Sequence, residues 1–270
     1  MTHGIKNEYL YLALKIDVGF ANSNGSTGKK NGTAFFVRNK YGELCLITNR
    51  HMLDLSYKQT EPKWNDFAVK EIVLHCKKMD ENGFPDKDFE FQIQNLGEFK
   101  FSKNYENDVA CLKNITIKDF VGSDTRVNFN LEYATIATEY ELNNSLSICD
   151  FVAFPGFPEW HDKKNKLPIL RTGTIASDPR FNYSYDGNEN GEVIAYEAFS
   201  YNGSSGSPVF AIQKGINLNS STLTITGGNF RRVMLIGVNA GHLPVKGPID
   251  IHSGISYFYK STVILELIDN

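Results

Sequence analysis

An all-β chain of two small β-domains is the fold class that this sequence predicts, and three observations carry it. Short runs rich in Val, Ile, Phe, Tyr and Thr recur along most of the length, each bounded by Gly, Asn, Asp or Pro. Long stretches with helical spacing are scarce. The runs fall into two groups, about residues 1–115 and 145–240, with a less regular stretch near 116–144 between them. Many strands at short intervals favour a sandwich or barrels.

In chain order, the first group reads as strands at 8–17, 33–38, 44–49, 69–76, 89–94 and 108–112. The second reads as strands at 148–154, 168–176, 192–198, 208–212, 221–226 and 232–239. RHMLDL at 50–55 has the length of a single helical turn. STVILELID near the C-terminus opens on Ser and Thr and carries an apolar face, so it reads as a helix.

Charge and composition exclude several function classes. The formal net charge of −3 gives no general attraction to nucleic acid or to an anionic membrane. The opening MTHGIKNEYLYLALKIDVGF lacks a basic segment followed by a clean apolar one, because Lys15 and Asp17 interrupt it, and no run of 18 apolar residues exists. The triplets beginning at Asn24, Asn31, Asn114, Asn143, Asn182, Asn202 and Asn219 have the form of glycosylation sites. A glycan on Asn202 would crowd the serine segment discussed below, so the cytoplasm is the expected compartment. The four cysteines (Cys45, Cys76, Cys111, Cys149) form no CxxC pair. Cys45 and Cys111 sit in apolar runs and read as small core residues. No metal or cofactor is expected.

One apparent motif fails. NGSTGKKN at 24–31 is superficially like a phosphate-binding loop, but Ser23 stands at the first glycine position and Lys30 follows Lys29 where Ser or Thr is needed.

Three other segments carry chemistry. His51 lies near the end of LCLITNRHML, where an apolar run meets a turn and an imidazole can face a cleft. Asp108 opens NDVACLK; if buried, its carboxylate needs a partner such as an imidazole N–H. Ser205 lies in YNGSSGSPVF at 201–210. A serine hydroxyl is a weak nucleophile without a base, and flanking glycines allow backbone shapes closed to other residues. Each residue alone reads more readily as structural. Together they occur in the order His, Asp, Ser, each at a strand boundary.

The set GTAFFV, LITNRHML, NDVACLK, GSSGSPVF and GVNAGH resembles the chymotrypsin-like serine peptidases, in particular the disulfide-free bacterial, HtrA-like branch. The similarity runs from about Gly32 to Gly241, and the G-x-S-G-x-P motif is matched at Gly203, Ser205, Gly206 and Pro208. The resemblance implies two six-stranded antiparallel β-barrels and a C-terminal helix. Residues 1–120 would form the barrel carrying His51 and Asp108, and residues 121–270 the barrel carrying Ser205. It implies a serine endopeptidase acting on proteins or peptides, with Ser205 as nucleophile, His51 as base then acid, and Asp108 holding His51. The backbone N–H groups of Gly203 and Ser205 would form the oxyanion hole. The segment Val238–Gly241 would pair with the substrate backbone. Phe199, six residues before the nucleophile, would floor the primary pocket, with Ser200, Asn239, Ala240 and Gly241 around it. Because these are uncharged, a small or medium uncharged residue is expected on the acyl side of the cut. Glu197 would come into play only through a loop shift.

The sequence also departs from the family. Met52 follows His51 where secreted members carry a cysteine, so the disulfide that braces the histidine is missing. Ser204 stands where trypsin-like zymogens carry an aspartate, so the oxyanion loop has to be shaped by other means, a partner or a ligand. Two rival readings follow. One is a catalytically silent relative that holds peptides; the other is a regulated effector of a bacterial defence or stress system that waits for a regulatory protein.

Overall fold

The computed structural model describes residues 5–82, 84–119, 129–215, 230–245 and 251–270. Its architecture is mostly β, a curled half-barrel sheet followed by a closed barrel, with a C-terminal helix, as the sequence predicts. The first sheet contains β1 (Leu14–Ala21), β2 (Thr27–Arg38), β3 (Leu44–Thr48), β4 (Ala68–Met79), β5 (Pro85–Asn95), β6 (Glu98–Phe101), β7 (Ala110–Lys113) and β8 (Thr116–Asp119). These eight strands curl in the order β6-β7-β3-β2-β1-β4-β5-β8. After helix α1 (Glu139–Ser145) come β9 (Phe151–Gly156), β10 (Ile169–Ile175), β11 (Val193–Glu197), β12 (Pro208–Ala211), β13 (Met234–Val245), β14 (Ile251–Lys260) and helix α2 (Ser261–Asp269). Strands β9 to β14 close into a six-stranded barrel.

The first sheet therefore has eight strands where six were expected. β6 and β8 are the additions, each four residues long and too short to show a period. The strand expected at 8–17 begins late: residues Asn7–Leu12 form a 3-10 helix instead. Tyr9 meets Phe210 of the second barrel edge-on with ring centroids 5.0 Å apart, so tertiary packing overrides the local β-preference. The strand expected at 221–226 and the expected boundary between 120 and 121 lie outside the described residues.

Core layout explains why the strand ends near the site are firm. Along β1, Leu14, Ile16, Val18 and Phe20 point inward and alternate with half-exposed positions, the pattern of a sheet with one wet face. The inner parts of β2, β3 and β7 have no wet face. Ala34, Phe36, Leu46, Ala110 and Leu112 enter the first core. Phe35, Val37, Cys45, Ile47 and Cys111 enter a second core shared with Phe210, Leu235 and Val238 of the barrel and with Val263, Ile264 and Leu267 of α2. All four cysteines are free thiols, with Cys45 and Cys111 buried in that shared core.

Candidate active site

Strand register sets the first two residues. β3 and β7 pair antiparallel with Thr48 opposite Ala110 and Ile47 opposite Cys111. Continued two steps, that register sets Arg50 opposite Asp108, so His51 arrives beside the carboxylate. The His51 backbone N–H donates to Asp108 Oδ1 at 2.8 Å, and His51 Nδ1 lies 2.6 Å from Asp108 Oδ2. The Asp108 side chain is only 14% exposed, and both oxygens are engaged, as a buried carboxylate requires. With the proton on Nδ1, the lone pair is left on Nε2.

The turn that bears His51 is braced without a disulfide. Residues Arg50–Met52 form a 3-10 turn. The Arg50 guanidinium lies 4.6 to 4.9 Å from the ring centroids of Phe101, Tyr57 and Tyr105 and pairs with Asp54 at 3.0 Å. Asn49 Nδ2 donates to the Asp108 carbonyl at 2.6 Å. Lys30 Nζ donates to the His51 carbonyl at 2.7 Å; burial pulls its pKa down, and the nearby Asp108 and Asp54 charges oppose that. Met52 is buried against Gly32, whose hypothetical Cβ would come 3.1 Å from its sulfur.

Ser205 rides on a loop held by the other sheet. Gly203 and Gly206 have φ of +89° and +85°. A Cβ on Gly203 would lie 2.3 Å from the Phe157 carbonyl, and one on Gly206 2.0 Å from the Thr33 carbonyl, so both positions demand glycine for space as well as conformation. Thr33 of β2 ties the loop down. Its N–H donates to the Ser205 carbonyl at 3.0 Å, and its hydroxyl donates to the Gly203 carbonyl at 2.7 Å while accepting from Phe157 N–H at 3.0 Å. Among the described residues, the N–H groups of Gly203 and Ser205 have no acceptor. Two unsatisfied donors two residues apart, beside a hydroxyl, are what an oxyanion site needs. Ser204 and Ser207 are fully buried; Ser205 is partly exposed.

The Ser205 hydroxyl donates to the Ala240 carbonyl at 3.3 Å. Among the described residues, no hydrogen bond joins it to His51.

A trypsin-like peptidase domain model matches residues 32–216, well over half of the chain. The chain belongs to that family. It is a serine endopeptidase of the trypsin fold. Among solved structures, the peptidase is similar to a thermostable serine protease from an extremophilic microorganism, with 13% sequence identity and a TM-score of 0.49 over 96% of this chain and 95% of that one. No curated protein matches the sequence.

The residues assigned to the peptidase's primary pocket take different positions. Phe199 is 54% exposed and faces outward, in contact with the rings of Tyr201 and His252. Ser200 is buried beneath it, its N–H 3.1 Å from Ser256 Oγ. Asn239 is fully buried and works as a brace: Nδ2 donates to Ser200 Oγ (2.9 Å) and to the Ser204 carbonyl (2.8 Å), and Oδ1 accepts from the Tyr196 hydroxyl (2.6 Å). Gly241 lies beside Tyr257. Glu197 is exposed on β11 opposite Ile255 of β14.

Sequence reasoning missed His242 and His252, whose rings stack 4.3 Å apart beside this segment. Burial, then the neighbouring His242, lowers the His252 pKa. It also missed Thr33, Lys30 and Arg50. Thr33 had one local signal, its place in the GTAFFV run; the others act through contacts distant in sequence.

No helix among the described residues is long and apolar enough to cross a membrane.

Proposed function

We propose that His51, Asp108 and Ser205 act as one catalytic unit for peptide-bond hydrolysis through an acyl-enzyme. The observation that carries this reading is the double contact from Asp108 to His51, 2.8 Å on the backbone N–H and 2.6 Å on Nδ1, which leaves Nε2 to take a proton. Ser205 Oγ attacks the carbonyl carbon as its proton passes to His51 Nε2. The carbonyl electron pair moves onto oxygen, which the Gly203 and Ser205 N–H groups receive. Collapse of this intermediate expels the amine, protonated by His51, and water then repeats the cycle on the ester. Asp108 stays ionised and stabilises the imidazolium.

Two further elements belong to the reading. The first domain, residues 1–120, supplies the base pair and the second, 121–270, supplies the nucleophile; their separate inner cores support this division. The Ser205 contact with Ala240 supports a resting enzyme whose serine turns toward His51 when substrate or a regulatory protein engages the loop, in keeping with a cytoplasmic effector of a bacterial defence or stress system. Catalytic hydrogen bonds are often loose before substrate arrives. The rival reading is a silent module that only holds peptides. The free thiols support the disulfide-free branch.

Fluorophosphonate labelling with peptide mapping tests the assignment. Modification of Ser205 is expected. Labelling at Ser204 or Ser207 overturns the assignment, and no labelling of any serine in the absence of peptide favours the silent module. For specificity, an uncharged residue on the acyl side of the cut remains our proposal, since Glu197 lies out on β11. Strong enrichment of Arg or Lys in a cleaved peptide library would refute it.

A further inference from the structure

Lys260 is only 8% exposed, at the junction of β14 and α2. Its side chain is largely covered, and its ammonium opens onto a cavity rather than onto a protein acceptor. Among the described residues, no hydrogen bond or ion pair engages its Nζ. Burial lowers its pKa, while Glu192, Glu139 and Asp178 favour the charge from farther off.

This side chain lines a cavity of about 750 Å³, between α1, the start of α2 and the loops at Asn104 and Asn182. None of His51, Asp108 or Ser205 borders it. The nine-residue helix α2 also begins on its wall, with Lys260 as an N-cap that makes no side-chain cap bond. Among the described residues, the N–H groups of Ser261, Thr262 and Val263 have no acceptor ahead of the helix. Of this first turn Thr262 borders the cavity beside Lys260, so the positive end of the helix and the unpaired ammonium lie on the same wall, and both favour an oxyanion.

The same cavity carries two carboxylates. Glu139 and Glu192 line it, and Glu192 is fixed by the Thr262 hydroxyl, which donates to Oε2; Arg180 also lines it, but its guanidinium is paired with Asp178. Like-charge repulsion bars a polyanion, while a positive group on the ligand would gain from both. We propose that the cavity binds a small zwitterion, a free amino acid or a molecule of that type. Its carboxylate meets Lys260 and the start of α2, and its ammonium meets Glu139 and Glu192. The site is also connected to the triad segment: the Glu192 N–H donates to Asn107 Oδ1 at 2.8 Å, next to Asp108. The proposal stands independently of the catalytic assignment, because no residue is shared.

Calorimetry and thermal denaturation of the full chain, with each common free amino acid as probe and acetate and inorganic phosphate for comparison, test it. At least one amino acid should bind and raise the Tm, more strongly than either simple anion. Lys260→Met and Glu192→Gln should each weaken that binding about tenfold or more; the second, isosteric variant serves if the first does not fold. The proposal is overturned if no amino acid binds, if acetate or phosphate binds as tightly as the best of them, or if a folded variant binds as well as the unaltered chain.

Discussion

The first sheet and the second barrel deliver their parts of the proposed active site by different means. His51 and Asp108 stand just beyond the ends of two neighbouring strands, β3 and β7, that are buried on both faces, and the strand register alone brings them within 2.6 Å. Ser205 stands on a loop. Its shape depends on two glycines with positive φ and on Thr33, a residue of the other sheet. The difference teaches that the His51–Asp108 pair is a product of sheet pairing, whereas the Ser205 loop is a product of docking between the two halves. Damage to the first should be chemical and local; damage to the second should be conformational.

The sharpest way to break the first half without moving it is Asp108→Asn. The side chain keeps its size, but with its one oxygen held by the His51 backbone N–H its NH2 group faces Nδ1 and can only donate, so the tautomer that leaves Nε2 free is lost. Turnover should fall by about 10⁴ with little change in Tm. A comparable fall in Tm would mean that Asp108 is chiefly structural.

The loop half is tested by Gly203→Ala against Gly25→Ala. Both glycines have positive φ, +89° and +80°. Only Gly203 is also crowded, by the Phe157 carbonyl; a Cβ on Gly25 meets nothing within 4 Å. Gly203→Ala should lower turnover on the order of 10²–10³, the loss expected when one oxyanion donor is displaced. Gly25→Ala should leave turnover unchanged and cost about 1–2 kcal/mol of stability at most. Equal effects on turnover would show that crowding at Gly203 does not matter.

The smallest effect concerns the outer face of the first sheet, where His75 Nε2 lies 2.7 Å from Asp17 and Nδ1 3.0 Å from Glu90. The hydrogen bond with Asp17 raises the His75 pKa against burial. Burial would raise the Asp17 pKa, but the hydrogen bond with His75 and the charge of Lys15 hold it below the ordinary value. The histidine contribution is therefore full below the ordinary histidine value, about 6.5, and fades as pH rises through the raised one. The aspartate contribution is full above about 3.9 and fades as pH falls through the lowered value. The network is half-exposed, so its worth is a fraction of a kcal/mol to about 1 kcal/mol. His75→Gln should remove a small stability gain at mildly acidic pH and leave the alkaline side almost unchanged, as read by Tm against pH. Equal losses at both ends would contradict this.

What the sequence made legible follows the same division. LITNRHML, NDVACLK and GSSGSPVF are local patterns, and each put its residue at a strand boundary that the fold contains. Strand β14 and helix α1 were not legible. IHSGISYFYK breaks its apolar run with Gly254 and Ser256, and EYELNNS offers only one buried position, Leu142. Phe199 illustrates the limit at the pocket. Its position in the motif suggested a floor, yet successive residues face opposite ways, and Ser200 takes the inward one, where its Oγ accepts from Asn239 Nδ2. Thr33 and Lys30 act across the fold, so no local pattern could assign them a role.

The central claim is that His51 and Ser205, delivered by different halves, work as one unit. Comparing kcat/KM for His51→Ala, Ser205→Ala and the double variant tests it most directly. The account predicts that the double variant loses no more than either single one, because removing one member already disables the other. A double loss equal to the product of the two single losses would contradict it.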